Sequence, residues 1–385
     1  MHGIVIARGT VGGKQVAFTS ARTTYFHEAD SALGFRELND PGFVHDPDSF
    51  MHAASDINFG FNWAYVDAAH IAYYQSGWYP ERAEGTSPDF PVLGTGEYDW
   101  RGRLGFAAHP HVVDQDYLVS WNNRQAPGWS AADDQYSYGS VQRAQLLDRY
   151  VRAGLRDGGK LELPQLVQAM GEPATQDLRG VMVLPTLLQA VGTPSDEPSR
   201  QALATLRAWM AAGAHRRDLD GDGRYDDDAA VTLMDAWWPR LVRAEFEPTL
   251  RAPAFAAVQS LLQIGDHTAG APTAPDFFDG WWGYVDKDLR ALQDAPAPAG
   301  RFSRVYCGGG SPAGCRAALQ GALRDALTVS RAELYGKGDC QDDPDAECFD
   351  RNRSTVAAGI DVPPAPFQNR PTFQQTVELA RSLPR

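Results

Sequence analysis

The chain has 385 residues, 43% of them hydrophobic, and carries a formal charge of −14 with an isoelectric point near 5.0. That length and apolar content suffice for a large core divided into two or three structural units. The acidity excludes a surface that tracks phosphates, so nucleic acid is set aside as a partner. No apolar run approaches the roughly 20 residues that cross a bilayer, so no membrane span is expected. The first residues lack the basic start and apolar stretch of a signal peptide.

In chain order, residues 4–8 and 15–22 are β-rich runs joined by a turn over Thr10–Lys14, which predicts a hairpin. Gly12-Gly13-Lys14 is read as that turn and not as a phosphate loop, since Gln15 stands where Ser or Thr is required and no helical pattern follows. Residues 48–54 read as a helix with Asp46 or Asp48 as N-cap. Phe61, Trp63 and Tyr65 alternate, Asp67-Ala68-Ala69 can turn, and Ile71 and Tyr73 resume the alternation, a second hairpin. Ser76–Gly102 is dense in Gly, Pro and Trp and reads as an ordered loop.

The run Tyr117-Leu118-Val119-Ser120-Trp121 reads as a strand that stops at Asn122-Asn123. A carboxamide at a strand end can aim its N–H at a developing negative charge. His109-Pro110-His111 is a weak metal hint and is read as an exposed turn. After Gly139 the spacing becomes helical: Leu146, Leu147, Tyr150 and Val151, then Leu166, Val167 and Met170, then Leu184, Leu187 and Leu188. Further helices are expected at about 199–212, 229–244, 254–264 and 313–334. Strands precede helices, so the fold class is α+β.

Two motifs fall in the helical region. Asp218-Leu219-Asp220-Gly221-Asp222-Gly223-Arg224-Tyr225-Asp226 has the spacing of a calcium loop, with Asp218, Asp220, Asp222, the Arg224 position and Asp226 as ligands and Gly at the sharp turn. Its twelfth position is Ala229 where a bidentate Glu is usual, and Asp227 or Asp228 is the substitute within reach of the sequence. A structural calcium is expected, with an unfilled acidic loop as the alternative. The four cysteines, Cys307, Cys315, Cys340 and Cys348, form two closely spaced pairs that fit two local disulfides better than zinc. Such staples point to an exported, periplasmic or secreted protein.

Met1–Gly9 with its His2-Gly3 pair, Phe61–Asp67, Pro80-Glu81-Arg82, Gly94–Trp100, Tyr117–Arg124 and Gly139–Arg143 follow one another in an order that resembles the penicillin acylase family of N-terminal-nucleophile amidohydrolases. Asn369–Gln375 extends the resemblance more loosely. The resemblance implies part of an αββα sandwich followed by a mainly helical region, with a partial core over 1–145, a helical segment over 146–300 and a cysteine-containing segment over 301–385 that returns to the core. It also implies hydrolysis of small acylated amines through an acyl-enzyme, without an organic cofactor. By that pattern Asn122 is an oxyanion donor and Arg143 the arginine that steadies the nucleophile's amine. His2 and Asn62 take structural roles, Asn62 as a buried hydrogen-bonding residue. A structural calcium of the family maps to a carbonyl near Pro88 and to Asp133 or Asp134.

In the family the nucleophile precedes the His-Gly strand, which here begins at His2. The expectation is therefore the C-terminal part of a β-subunit, inactive alone, whose partner is a missing N-terminal portion comprising the α-subunit and the start of the β-subunit. A calcium-stabilised extracellular binding module is the alternative. A glycan-binding reading would use Trp63, Trp78, Trp100 and Trp121 as stacking platforms, positions that more often fill core space.

Overall fold

Gly12 and Gly13 make the first turn of the chain, and both have positive φ (56° and 78°) as a two-residue hairpin turn demands. They join β1 (Ile4–Val11) to β2 (Lys14–Ser20), antiparallel and closed by the Val11–Lys14 pair. The computed structural model of the chain describes residues 2–87, 90–121, 123, 125, 126, 129, 142–261, 264, 281–296, 300–351, 353, 356, 359, 360, 363, 364 and 375–379, with backbone alone for 142, 143 and 261. The chain divides into two compact units, residues 1–144 with 377–385 and residues 145–376. No described helix is long and apolar enough to cross a membrane.

In the first unit, α1 (Ser31–Leu38) buries Ser31, Gly34 and Glu37 and leaves Leu33 and Phe35 more than 40% exposed. Its inward face is small and polar, so hydrophobic spacing does not announce it. At Gly34 a Cβ would lie 2.6 Å from the Ala53 carbonyl, which is what lets α1 approach α2 (Pro47–Ser55) so closely. The cap of α2 is Asp46: its carboxylate accepts the Ser49 N–H at 2.8 Å, and the Ser49 hydroxyl accepts the Asp46 N–H at 3.1 Å.

Helix α2 lays Phe50, Met51 and Ala54 against Ala72 and Tyr74 of a three-stranded antiparallel sheet. The sheet runs β3 (Asn62–Val66), β4 (Ile71–Gln75) and, after the short pair β5 (Pro80–Glu81) and β6 (Gly102–Arg103), β7 (His111–Val113), in the order β3-β4-β7. The β5–β6 pair closes the loop that the sequence leaves without regular structure. His109 is 7% exposed, accepted by the Gln75 carbonyl at 2.8 Å and stacked on Tyr74, which corrects the exposed-turn reading of His109-Pro110-His111. Residues 117–120 are not a strand, and among the described residues no strand pairs with them. Their apolar alternation is present without the ladder that would make it a strand.

The second unit is helical: α3 (Gln142–Gly154), α4 (Leu163–Thr175), a π-helical turn Arg179–Val183 leading into α5 (Leu184–Val191), α6 (Glu197–Ala211) and α7 (Asp228–Leu261). Then come α8 (Trp281–Leu292), α9 (Pro312–Ala326), α10 (Arg331–Tyr335) and α11 (Ala346–Asp350). Asp196 caps α6 by accepting the Ser199 N–H at 2.9 Å, and Ala202, Leu203, Leu206 and Trp209 recur at helical spacing to bury its inner face. Helix α7 breaks at Arg251 (φ 63°, ψ 155°), between Pro248 and Pro253. The break falls in the interval 245–253 that the sequence leaves between two helical patterns. The core holds Trp209, Trp237, Trp238 and Trp281, each no more than 2% exposed. Cys307 is bonded to Cys315 and Cys340 to Cys348.

Within this core lies a closed network of charge. Arg179 donates to Asp177 at 2.6 Å and Asp235 at 2.6 Å, and Arg216 to Asp235 at 2.9 Å and Asp350 at 2.7 Å. Tyr335 and Tyr225 add O–H donors to Asp235 (2.7 Å) and Asp350 (2.8 Å). Both guanidinium groups and all three carboxylates are at most 1% exposed. Nearby, Asp288 accepts the N–H groups of Tyr306 and Cys307, both at 2.8 Å. Glu245 is fully buried, and burial, reinforced by the Asp288 charge, pushes its carboxyl far above the ordinary carboxylate range.

Arg216→Met should lower unfolding stability by about 3–5 kcal/mol in chemical denaturation, because it strands buried carboxylates; a loss below about 1 kcal/mol would contradict the network's role. Glu245 gives a pH signature. A carboxyl whose folded pKa is raised stabilises fully below its unfolded value and progressively loses that contribution as pH rises toward the folded value. Relative to the parent, Glu245→Gln should therefore gain stability from pH 5 to pH 8, by up to about 1.4 kcal/mol per pH unit. Urea melts at the two pH values measure this, and an equal difference at both would count against a proton held on Glu245.

Candidate functional site

Asn62 opens β3 and stands half-buried at the start of its sheet. Its amide N–H donates to the Ser120 hydroxyl at 3.0 Å. Its carbonyl oxygen accepts the Tyr73 hydroxyl at 2.7 Å and also the Gln125 side-chain N–H. Between those two anchors, Trp121 is 7% exposed and its backbone N–H donates to the Asn123 carboxamide at 2.9 Å. One side chain of the sheet therefore grips the 120–125 segment at both ends, a tie across some sixty residues of sequence. Asn122 itself lies outside the described residues, as do Pro88, Asp133 and Asp134. Arg143 falls in the first turn of α3, and only its backbone is described.

The tryptophans do not form an open stacking face. Trp121 is buried, and the Arg103 guanidinium covers the Trp78 ring at 3.6 Å. Trp63 donates its indole N–H to the Ser76 hydroxyl at 2.9 Å and packs against the cluster of Phe50 and Tyr74. Of the four, Trp100 is 39% exposed.

In the second unit the acidic loop is folded upon its own backbone. Asp218 accepts N–H groups from Gly221 (2.7 Å) and Gly223 (2.9 Å), Asp220 from Asp222 (3.3 Å), Asp222 from Arg224 (2.9 Å) and Asp226 from Leu219 (3.1 Å). Gly223 has φ +89°, the left-handed turn that the loop's sixth position requires. Carboxylate oxygens of Asp218, Asp220 and Asp222 lie within 4.8 Å of one another. The Gly223 N–H, more than any other group, holds the Asp218 carboxyl below the usual range. Asp228 is engaged by Arg331, which also reaches Asp345 at 3.1 Å, so Asp228 is not free to stand in for the absent twelfth-position Glu.

Sequence reading misses Glu347, because it lies on α11, far along the chain from the loop it approaches. It is 6% exposed and accepts from Arg351 at 2.6 Å, and Arg351 reaches the loop, its Nη2 lying 3.9 Å from where a Cβ at Gly223 would stand. Burial is the first cause that raises the Glu347 carboxyl, and the Asp218 charge adds to it against the opposing Arg351. No local motif marks it; the neighbouring Cys348, bonded to Cys340, is the signal that this segment is held in a defined place.

With this geometry in place, comparison with known proteins is informative. The family model described as penicillin amidase matches residues 1–342. Over 187 residues, 47% of this chain, it is 30% identical to the penicillin G acylase of Escherichia coli, and the match spans 21% of that relative. It is also 30% identical over 117 residues, 30% of this chain, to the acyl-homoserine lactone acylase QuiP of Pseudomonas syringae pv. syringae (strain B728a), spanning 14% of it. Among solved structures, a thermostable penicillin G acylase from Alcaligenes faecalis superposes with a TM-score of 0.60 at 21% identity, covering 89% of this chain and 57% of that one. At that identity the likeness shows a shared fold. The chain thus spans about a fifth or less of the curated relatives it matches.

Proposed function

This chain belongs to the penicillin amidase family, and from that premise we propose that it supplies the oxyanion-stabilising part of a hydrolase that cleaves linear amides through an acyl-enzyme. Asn122 donates a side-chain N–H to the carbonyl oxygen as negative charge develops there, and Arg143 steadies the nucleophile's amine and that donor. The chain spans about a fifth or less of the curated relatives it matches, and no nucleophile is assigned to one of its residues. The substrates are small acylated amines, of the kind named in the relatives: penicillin G for one and acyl-homoserine lactones for another. The two disulfides support a periplasmic or secreted setting.

The observation that carries this reading is the grip of Asn62 on Ser120 and Gln125. Electrostatic catalysis requires a donor already in position when charge appears, because reorientation during the reaction would consume the gain. A half-buried amide that bonds to Ser120 and Gln125, and is itself held by Tyr73, anchors the chain on either side of the proposed donor and supports this reading. Asn123 closes the segment by accepting the Trp121 N–H.

Assay of the protein that contains these residues on penicillin G and on an acyl-homoserine lactone tests the proposal. Hydrolysis of at least one of the two is expected. Asn122→Ala should reduce kcat by about 100- to 1000-fold with little change in KM. Hydrolysis of neither compound, or an Asn122→Ala enzyme with parental kcat, would overturn the assignment.

A further inference from the structure

We propose that Asp218, Asp220, Asp222 and Glu347 together bind one divalent cation of the calcium class, with Glu347 supplied from α11 in place of the carboxylate that Ala229 cannot provide. Three observations converge on it. The loop carboxylates are gathered within 4.8 Å of one another, close enough for one ion with oxygen ligands at about 2.4 Å to touch all three. Glu347 is 6% exposed, and only one of its oxygens is used: Oε1 accepts from Arg351 Nη2 at 2.6 Å and Nε at 3.1 Å. Its Oε2 is buried without a hydrogen-bond partner, and the Arg351 that bonds Oε1 comes within 3.9 Å of a Cβ at Gly223, which places Glu347 beside the loop.

Neighbouring carboxylates repel unless a proton or a cation lies between them. Arg351 offsets the charge of Glu347, and the three loop carboxylates remain gathered within 4.8 Å of one another. A divalent cation answers the whole group. The donors are all hard oxygens, which suits calcium and gives no soft or imidazole ligand for zinc or copper. Asp218 accepts backbone N–H groups of Gly221 and Gly223, and Asp222 that of Arg224, so the loop is already curled with its carboxylates gathered before an ion arrives.

The position of Glu347 is equally prepared. Asp345 accepts the Glu347 N–H at 2.9 Å, and the next residue, Cys348, is bonded to Cys340. An ion bound here would therefore fasten α11 to the loop that leads into α7. This role is independent of the proposed hydrolase chemistry.

Calorimetric titration of calcium into the chelator-treated 385-residue chain tests the proposal, with Glu347→Gln and Asp220→Asn as variants. The unsubstituted chain is expected to bind with a Kd of roughly 10⁻⁵–10⁻³ M. Each variant should lose one calcium equivalent or bind at this site at least about 10-fold more weakly. Asp220 is exposed, so its replacement reads the site without disturbing the packing around Glu347. Calcium should also slow amide hydrogen exchange over residues 346–351 in the parent and leave it unchanged in Asp220→Asn. Parental stoichiometry and affinity in Glu347→Gln, or exchange over 346–351 indifferent to calcium in the parent, would overturn the proposal.

Discussion

Two arginines enclosed in the helical unit, Arg179 and Arg216, set the terms on which the rest of that unit folds. A guanidinium removed from water costs several kcal/mol even after relaxation, and only well-aimed carboxylates offset it. The carboxylates come from widely separated places: Asp177 beside the π-helical turn, Asp235 on α7 and Asp350 at the end of α11. Arg216 and Asp350 are 134 residues apart in sequence. The helices therefore reach full stability only when the C-terminal segment is in place, which ties the cysteine-rich stretch to the core more firmly than its apolar content would. Apolar residues of similar volume could fill the same space; the charged set adds a demand that particular segments meet one another.

The same short helix faces two ways. Asp350 enters the buried network, while Glu347, one turn earlier, lies beside the acidic loop. Both sets of contacts depend on the 340–350 segment, which the Cys340–Cys348 bond closes into a small ring. In the first unit Asn62 has a comparable place, linking a regular sheet to the irregular segment that bears the proposed oxyanion donor. In each case a polar side chain on a regular element holds a functional or ligand-bearing loop, and the apolar core beneath keeps that element still.

Much of this was legible in residue order. Gly12-Gly13 announces its hairpin, Asp46 its helix, and the spacing of Ala202, Leu206 and Trp209 the inner face of α6. The elements that escaped notice did so for physical reasons. Helix α1 buries Ser31, Gly34 and Glu37, so hydrophobic periodicity points away from its packed side. The Tyr117–Trp121 run has the alternation of a strand but, among the described residues, no strand alongside to complete a ladder. The family motifs lead to Asn122 and Arg143, yet they say nothing of Tyr73 or Gln125, whose bonds to Asn62 depend on pairing across the fold. Glu347 was out of reach for the same reason, since motif reading follows the chain and this residue comes beside the acidic loop only in space.

The proposed role of Asn122 as oxyanion donor is tested most directly by a crystal structure of the protein bound to a boronate transition-state analogue. The Asn122 side-chain nitrogen is expected about 2.7–3.1 Å from the anionic oxygen of the adduct, with Asn62 still bonded to Ser120 and Gln125. An adduct whose oxygen is held by other donors, with Asn122 turned away from it, would contradict the account.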